Sequence, residues 1–237
     1  MKVLPALLLA AAIGAGGAQA APVITFTGST DTAFLAFLAG RGVALPAAEA
    51  AVAQARGGNN AGNGDYEAGL HIPPNLTNAA PVGTAGQFSW GVAGGGNAFR
   101  PFSLARTGST LAFTLGNYAG SWTNPLVDGI DMLGLRLRSE GAGSATRMRA
   151  LALNGTALGG LLASGGGLDF AVVEGFGPGD FVLTGEAALD WTGGFPGGSR
   201  LGFQIKAIDA PTLVPGPAAL ALFGLGMLCL GLVRSRG

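Results

Sequence analysis

The chain has 237 residues, enough for one full-sized domain or at most two small ones. Only 11% are charged, 44 are glycine and the formal net charge is zero, which excludes a polyelectrolyte tail and leaves no electrostatic reason to seek nucleic acid. All thirteen acids lie between Asp31 and Asp209, whereas Lys2, Arg234 and Arg236 sit in the terminal segments, so the middle holds ten basic residues and a net charge of −3.

The first twenty residues, MKVLPALLLAAAIGAGGAQA, have a basic start at Lys2, an apolar stretch through Ile13, and Ala18-Gln19-Ala20 before Ala21. That is the layout of a secretory signal peptide with an A-x-A cleavage site. The Sec translocon and signal peptidase are the partners it implies. The mature chain is expected to begin at Ala21, with a domain over residues 21–210.

PVITFTGS reads as a short strand. DTAFLAFLA (Asp31 to Ala39) fits a helix, with Thr30 or Asp31 as its cap and Gly40 as its stop. A second helix is expected over Pro46 to Arg56 (PAAEAAVAQAR), because Pro suits a first turn and the rest are strong helix formers. RGGNNAGNGDYEAG is then a loop by composition. Within it, Asn59, Asn63, Asp65 and Glu67 are candidate oxygen ligands for Ca²⁺, although they lack the spacing of a helix-loop-helix calcium loop. The same Asx-rich pattern also arises in turns whose side chains bond their own backbone.

From Gln87 onward the pattern changes. QFSWGV, TLAFTL, MLGLRLR, TRMRALAL, LDFAVV, DFVLTGEAALDW and RLGFQIKAI are apolar or alternating runs separated by Gly, Asn, Pro or Asp. Arg136, Arg138, Arg147 and Arg149 alternate with Leu135, Leu137, Met148 and Ala150. This period of two predicts antiparallel sheets with one wet face. Asn154-Gly155 predicts a tight hairpin. The fold expected is mainly β, an antiparallel β-sandwich or jelly-roll-like ectodomain with one or two short N-terminal helices.

Few residues carry a recognisable chemistry. His71 is the only histidine and no serine sits in G-x-S-x-G, so no Ser-His-Asp site is legible. With one histidine and no thiol outside Cys229, zinc has no ligand set in the middle of the chain. Asp128 and Asp131 are a second oxygen pair for a cation. Asp169, Glu174, Asp180, Glu186 and Asp190 could supply paired carboxylates, but no single sequence sets their separation. Trp122 and Trp191 are candidate platforms for stacking a sugar, with core packing as the alternative.

The end of the chain, VPGPAALALFGLGMLCLGLVRSRG, has a different logic. Ala218 to Val233 runs without a charge and is followed by Arg234 and Arg236, which reads as a single transmembrane helix with a cytoplasmic stub. The Pro215-x-Pro217 motif, the apolar helix and the terminal arginines together resemble the PEP-CTERM sorting signal of exported Gram-negative proteins. Val214, Pro215, Pro217, Arg234 and Arg236 match that pattern, and Gly216 departs from it where the family usually has Glu. The resemblance covers residues 211–237 and implies transient residence in the inner membrane and an exosortase as processing partner. It also implies delivery to the cell surface or exopolysaccharide matrix. No catalytic constellation is read from the chain, and the function expected is structural or adhesive, with a carbohydrate-binding module or a carboxylate-based hydrolase as alternatives.

Overall fold

The computed structural model describes residues 21–57, 68–73, 76, 81–83, 86, 90–91, 97–193 and 200–210. The proposed leader up to residue 20, the calcium candidates Asn59, Asn63, Asp65 and Glu67, most of QFSWGV and the whole of 211–237 lie outside the described residues.

In chain order the described elements are β1 (Val23–Gly28), α1 (Asp31–Gly40), β2 (Glu49–Arg56), β3 (Ala68–His71), β4 (Arg100–Thr107), β5 (Thr110–Leu115) and β6 (Tyr118–Thr123). A 3-10 turn at Pro125–Val127 follows, then β7 (Met132–Ser139), β8 (Ala145–Leu153), β9 (Thr156–Ser164), β10 (Leu168–Glu174), β11 (Phe181–Asp190) and β12 (Leu201–Ile208). They form two six-stranded sheets: sheet A in the order β1-β10-β7-β12-β2-β3 and sheet B in the order β6-β5-β4-β11-β8-β9. Every pairing is antiparallel.

The pairings are nested. β8 and β9 form a hairpin whose turn is Asn154-Gly155, with φ of 51° and 79° as a tight primed turn requires. β7 pairs with β10 outside that hairpin, β4 with β11 outside those, and β2 with β12 outermost. One long two-stranded ribbon is thus rolled so that its successive pairs alternate between the two sheets. The inner faces share one core, with Leu133, Leu135, Leu137, Phe203 and Ile205 from sheet A against Leu104, Phe113, Leu153 and Leu183 from sheet B.

The helix over Asp31–Gly40 forms as the sequence predicts. Thr30 Oγ1 accepts from Ala33 N at 3.1 Å, which satisfies one of the free amides of the first turn. Phe34 and Leu38 bury its inner face. They sit with Val43, Met132, Phe170, Val172 and Ile208 in a second apolar cluster on the outer face of sheet A.

The helix expected over Pro46–Arg56 is not formed. Residues 45–48 make a turn closed by Glu49 N donating to Pro46 O at 2.9 Å, and Glu49–Arg56 is strand β2. Helix propensity is a weak prior that tertiary pairing overrides. β2 lies between β12 and β3, where Ala51, Ala53 and Ala55 stand opposite Ala207, Ile205 and Phe203. At Ala53 and Ala55 a small residue makes room for a large one on the neighbouring strand, so alanines that read as helix formers fill gaps in a sheet.

The arginine alternation holds at Arg136, Arg138, Arg147 and Arg149, but Ala150 does not continue the inward row. It is exposed at φ 50°, in a bulge where the β8–β9 register shifts. The extra residue returns Leu151 and Leu153 to the core.

Polar ties join the layers. Tyr118 Oη accepts from Leu70 N at 2.7 Å and donates to Val82 O at 2.8 Å, linking β6 to β3 across the sheets. Burial pushes its hydroxyl pKa up, against the lowering effect of the Leu70 hydrogen bond. Arg106, 2% exposed, donates to the carbonyls of Val127, Asp128 and Ile130 at 2.9, 3.0 and 3.0 Å. It holds the 3-10 turn closed, and its guanidinium carbon lies 5.5 Å from the centre of the Phe181 ring. Burial lowers its pKa, with Asp180, Asp128 and Asp131 opposing that shift.

Candidate functional site

A recess on the described surface has a lining that combines charge, amide and apolar groups. It lies on the outer face of sheet A, between the first turn of α1, the 45–49 turn and strands β7 and β12. Its volume is about 300 Å³, the small end of ligand pockets.

Strand register builds its floor. Gln204 on β12 stands opposite Arg136 on β7 and Gln54 on β2, so these three planar side chains share one row. Two residues along, Lys206 stands opposite Gly134 and Val52, and Val52 opposite His71. Gly134 has a packing reason to lack a side chain, because a Cβ there would meet Phe34 at 3.1 Å. Its bare backbone lets the helix settle close to the sheet and form one wall.

The charges are paired within the recess. Arg136 forks onto Asp31 through Nε at 3.1 Å and one terminal nitrogen at 3.3 Å, while its guanidinium carbon lies 5.7 Å from the Phe170 ring centre. Lys206 Nζ donates to Glu49 Oε1, with side chains only 13% and 3% exposed. Burying such a pair carries a desolvation cost that the mutual attraction of the two charges must offset. Between the two pairs, Gln204 Nε2 donates to Gln54 Oε1 at 3.1 Å. Gln54 Nε2 in turn lies 2.8 Å from His71 Nε2. Phe34, Leu35, Leu45 and Pro46 complete the lining, and Leu35 is 49% exposed at the rim.

The residues singled out from sequence lie elsewhere. Trp191 is 7% exposed within the core, so the exposed ring expected of a sugar platform is not found there. Trp122 is half-buried and packs against the same core. Ala21 is exposed just before β1.

The five carboxylates considered for hydrolysis are dispersed over separate contacts. Asp169 accepts from Leu162 N at 2.8 Å, and Glu174 pairs with Arg41 at 2.8 Å. Asp180 accepts from Gly108 N at 2.8 Å, while Glu186 and Asp190 pair with Arg149 and Arg147 at 2.6 and 2.5 Å. Burial pushes the Asp169 carboxyl pKa up, with the Leu162 and Phe170 amides opposing.

Asp131 accepts from Ala210 N at 3.0 Å. Its pKa is raised chiefly by burial, with the Ala210 bond opposing and the charges of Asp209 and Glu174 adding to the rise. Among the described residues no group of three or more His, Cys, Asp or Glu is placed to hold a metal ion. Among them too, no helix is long and apolar enough to cross a membrane.

Glu49, Gln54, Gln204 and Lys206 were not singled out from sequence. The alternation in FQIKAI does put Gln204 and Lys206 on one face. Nothing local tells that Asp31, Glu49 and Arg136 meet them there. No protein-family model matches the chain, and no curated protein matches it either.

Proposed function

We propose that this chain is an exported surface or extracellular-matrix protein of a Gram-negative bacterium, with a jelly-roll-like ectodomain and a structural or adhesive role in the exopolysaccharide layer. Its leader is removed before Ala21. Its PEP-CTERM-like tail, Val214 to Arg236, passes through the inner membrane and is handled by an exosortase-type enzyme.

One observation carries this reading: the described strands, β1 through β12, all lie between the two proposed processing points. β1 starts at Val23, just after Ala21. β12, a central strand of sheet A, ends at Ile208. Asp209 N then donates to Ala48 O at 3.1 Å and Ala210 N to Asp131 Oδ1 at 3.0 Å, clamping the chain where it leaves the domain. A tail beginning at residue 211 can be cut or held in a membrane without drawing on any of the twelve described strands. The nested pairing of β2 through β12 supports the jelly-roll-like description.

Intact-mass analysis of membrane and extracellular fractions from a host encoding an exosortase tests it. The expected product begins at Ala21 and ends near Pro215. A mass running from Met1 to Gly237 in the soluble cytoplasmic fraction would overturn export and sorting together. A membrane product running from Ala21 to Gly237 would show that Gly216 blocks processing, leaving a single-pass anchor.

A carbohydrate-binding role is the second reading. It is favoured by the charge-balanced recess on sheet A rather than by the tryptophans.

A further inference from the structure

We infer that the recess on the outer face of sheet A binds a short, uncharged saccharide, a site that deepens the adhesive reading above and rests on it for its biological source. The lining chemistry sets the ligand class. Asp31, Glu49, Arg136 and Lys206 contribute two negative and two positive charges. Each cation is already joined to a carboxylate. An anionic sugar would meet cations already neutralised by Asp31 and Glu49 and would lie beside those carboxylates, and a cationic one would face Arg136 and Lys206. A neutral polyol meets neither penalty.

The paired groups suit hydroxyls. A carboxylate beside a guanidinium or ammonium offers an acceptor next to a donor, the arrangement that two neighbouring hydroxyls satisfy. Asp31 forms its fork with Nε and one terminal nitrogen of Arg136, so the other terminal nitrogen is outside that pair. Gln204 lies between the two ion pairs and uses Nε2 to reach Gln54, which fixes its amide plane. Among the described residues its Oε1 has no protein donor. At the rim, Leu35 and Pro46 are exposed apolar groups that can cover the C–H face of a pyranose ring. Orienting polar groups on the floor and an apolar lip are the usual composition of a small-ligand site.

The buried pair of Lys206 and Glu49 strengthens the assignment. An apolar pair of similar size would fill the same space at no desolvation cost. A ligand that hydrogen-bonds to the pair would offset part of that cost.

The test uses the purified full chain and calorimetric titration with neutral oligosaccharides of glucose, galactose and N-acetylglucosamine, with a polyuronate as the charged comparison. At least one neutral oligosaccharide is expected to bind with a Kd at or below the millimolar range, and the polyuronate is not. Gln204→Ala is expected to weaken binding about tenfold, the loss of one or two hydrogen bonds in a desolvated site. Leu35→Ser, at an exposed position that leaves the core intact, is expected to weaken it by a factor of about three. Val182→Ala, on the outer face of sheet B, should change nothing.

The proposal is overturned if no neutral oligosaccharide binds, if only the polyuronate binds, or if binding survives both Gln204→Ala and Leu35→Ser. Cell fractionation separates this result from the surface reading. A matrix-located chain that binds none of the sugars ends this proposal alone, whereas a cytoplasmic chain with Gln204-dependent binding ends the surface reading alone.

Discussion

The outer faces of the two sheets are built on different physics. On sheet B the face is largely wet: β11 begins with strict alternation, Val182 and Leu162 are 44% and 56% exposed, and Arg149 pairs with Glu186 at side-chain exposures of 57% and 37%. On sheet A the helix and the 45–49 turn lie over the strands, and β2 is buried along nearly its whole length. Its ion pair between Lys206 and Glu49 is correspondingly shielded. The contrast teaches that similar charged pairs differ in consequence because one sits in water and the other under a second layer.

Breaking that contrast gives the largest expected effect. Lys206→Met leaves the Glu49 carboxylate buried without its partner and should cost about 3–5 kcal/mol in chemical denaturation. The double variant Glu49→Met, Lys206→Met should recover most of the loss. Arg149→Ala, which breaks the exposed pair on sheet B, should cost less than about 1 kcal/mol, with the difference fading at high salt. Equal losses for the two single variants would show that the covering layer does not insulate sheet A.

Core and surface positions sharpen the same comparison. Leu135→Ala, in the shared core, should lower stability by about 2–5 kcal/mol, because a cavity remains where the side chain was. Thr184→Ala, facing outward on β11, should stay within about 0.5 kcal/mol. An effect between those two is expected at the hairpin tip. Gly155 has φ of 79° and no neighbour within 4 Å of an added Cβ, so Gly155→Ala tests backbone conformation alone and should cost about 1–2 kcal/mol.

The last comparison concerns the pH dependence of Asp131. Burial raises its folded-state pKa above the unfolded value near about 3.9. The folded chain therefore binds this proton more tightly, so the group's contribution favours folding below the unfolded pKa and is lost as pH rises through the folded one. Asp131→Asn keeps an acceptor for Ala210 N and removes the charge. Melting temperatures of the two proteins should diverge in the variant's favour as pH rises from about 4 to 7. Parallel curves would show that the carboxylate is solvated.

Legibility followed the same division between wet and covered surfaces. LGLRLR and TRMRALAL were readable because arginines mark the outer face, and Asn154-Gly155 because its turn chemistry is local. The α1 cap at Thr30 was equally plain. PAAEAAVAQAR misled because burial on both faces removes the alternation that identifies a strand. Trp191 illustrates the limit for sites, since an aromatic at the end of a strand reads alike whether its ring meets solvent or core.

The amino-acid sequence by itself determined the mainly-β class, the first helix, the tight hairpin and the absence of thiol chemistry from residues 21–210, because each follows from local periodicity, turn conformation or composition. Only the tertiary structure decided that an alanine-rich segment becomes an interior strand. It also decided that Asp31, Glu49, Arg136, Gln204 and Lys206 line one recess. Those residues are far apart along the chain, and their meeting depends on nested pairing that brings β2 and β12, one from each end of the domain, side by side in the same sheet.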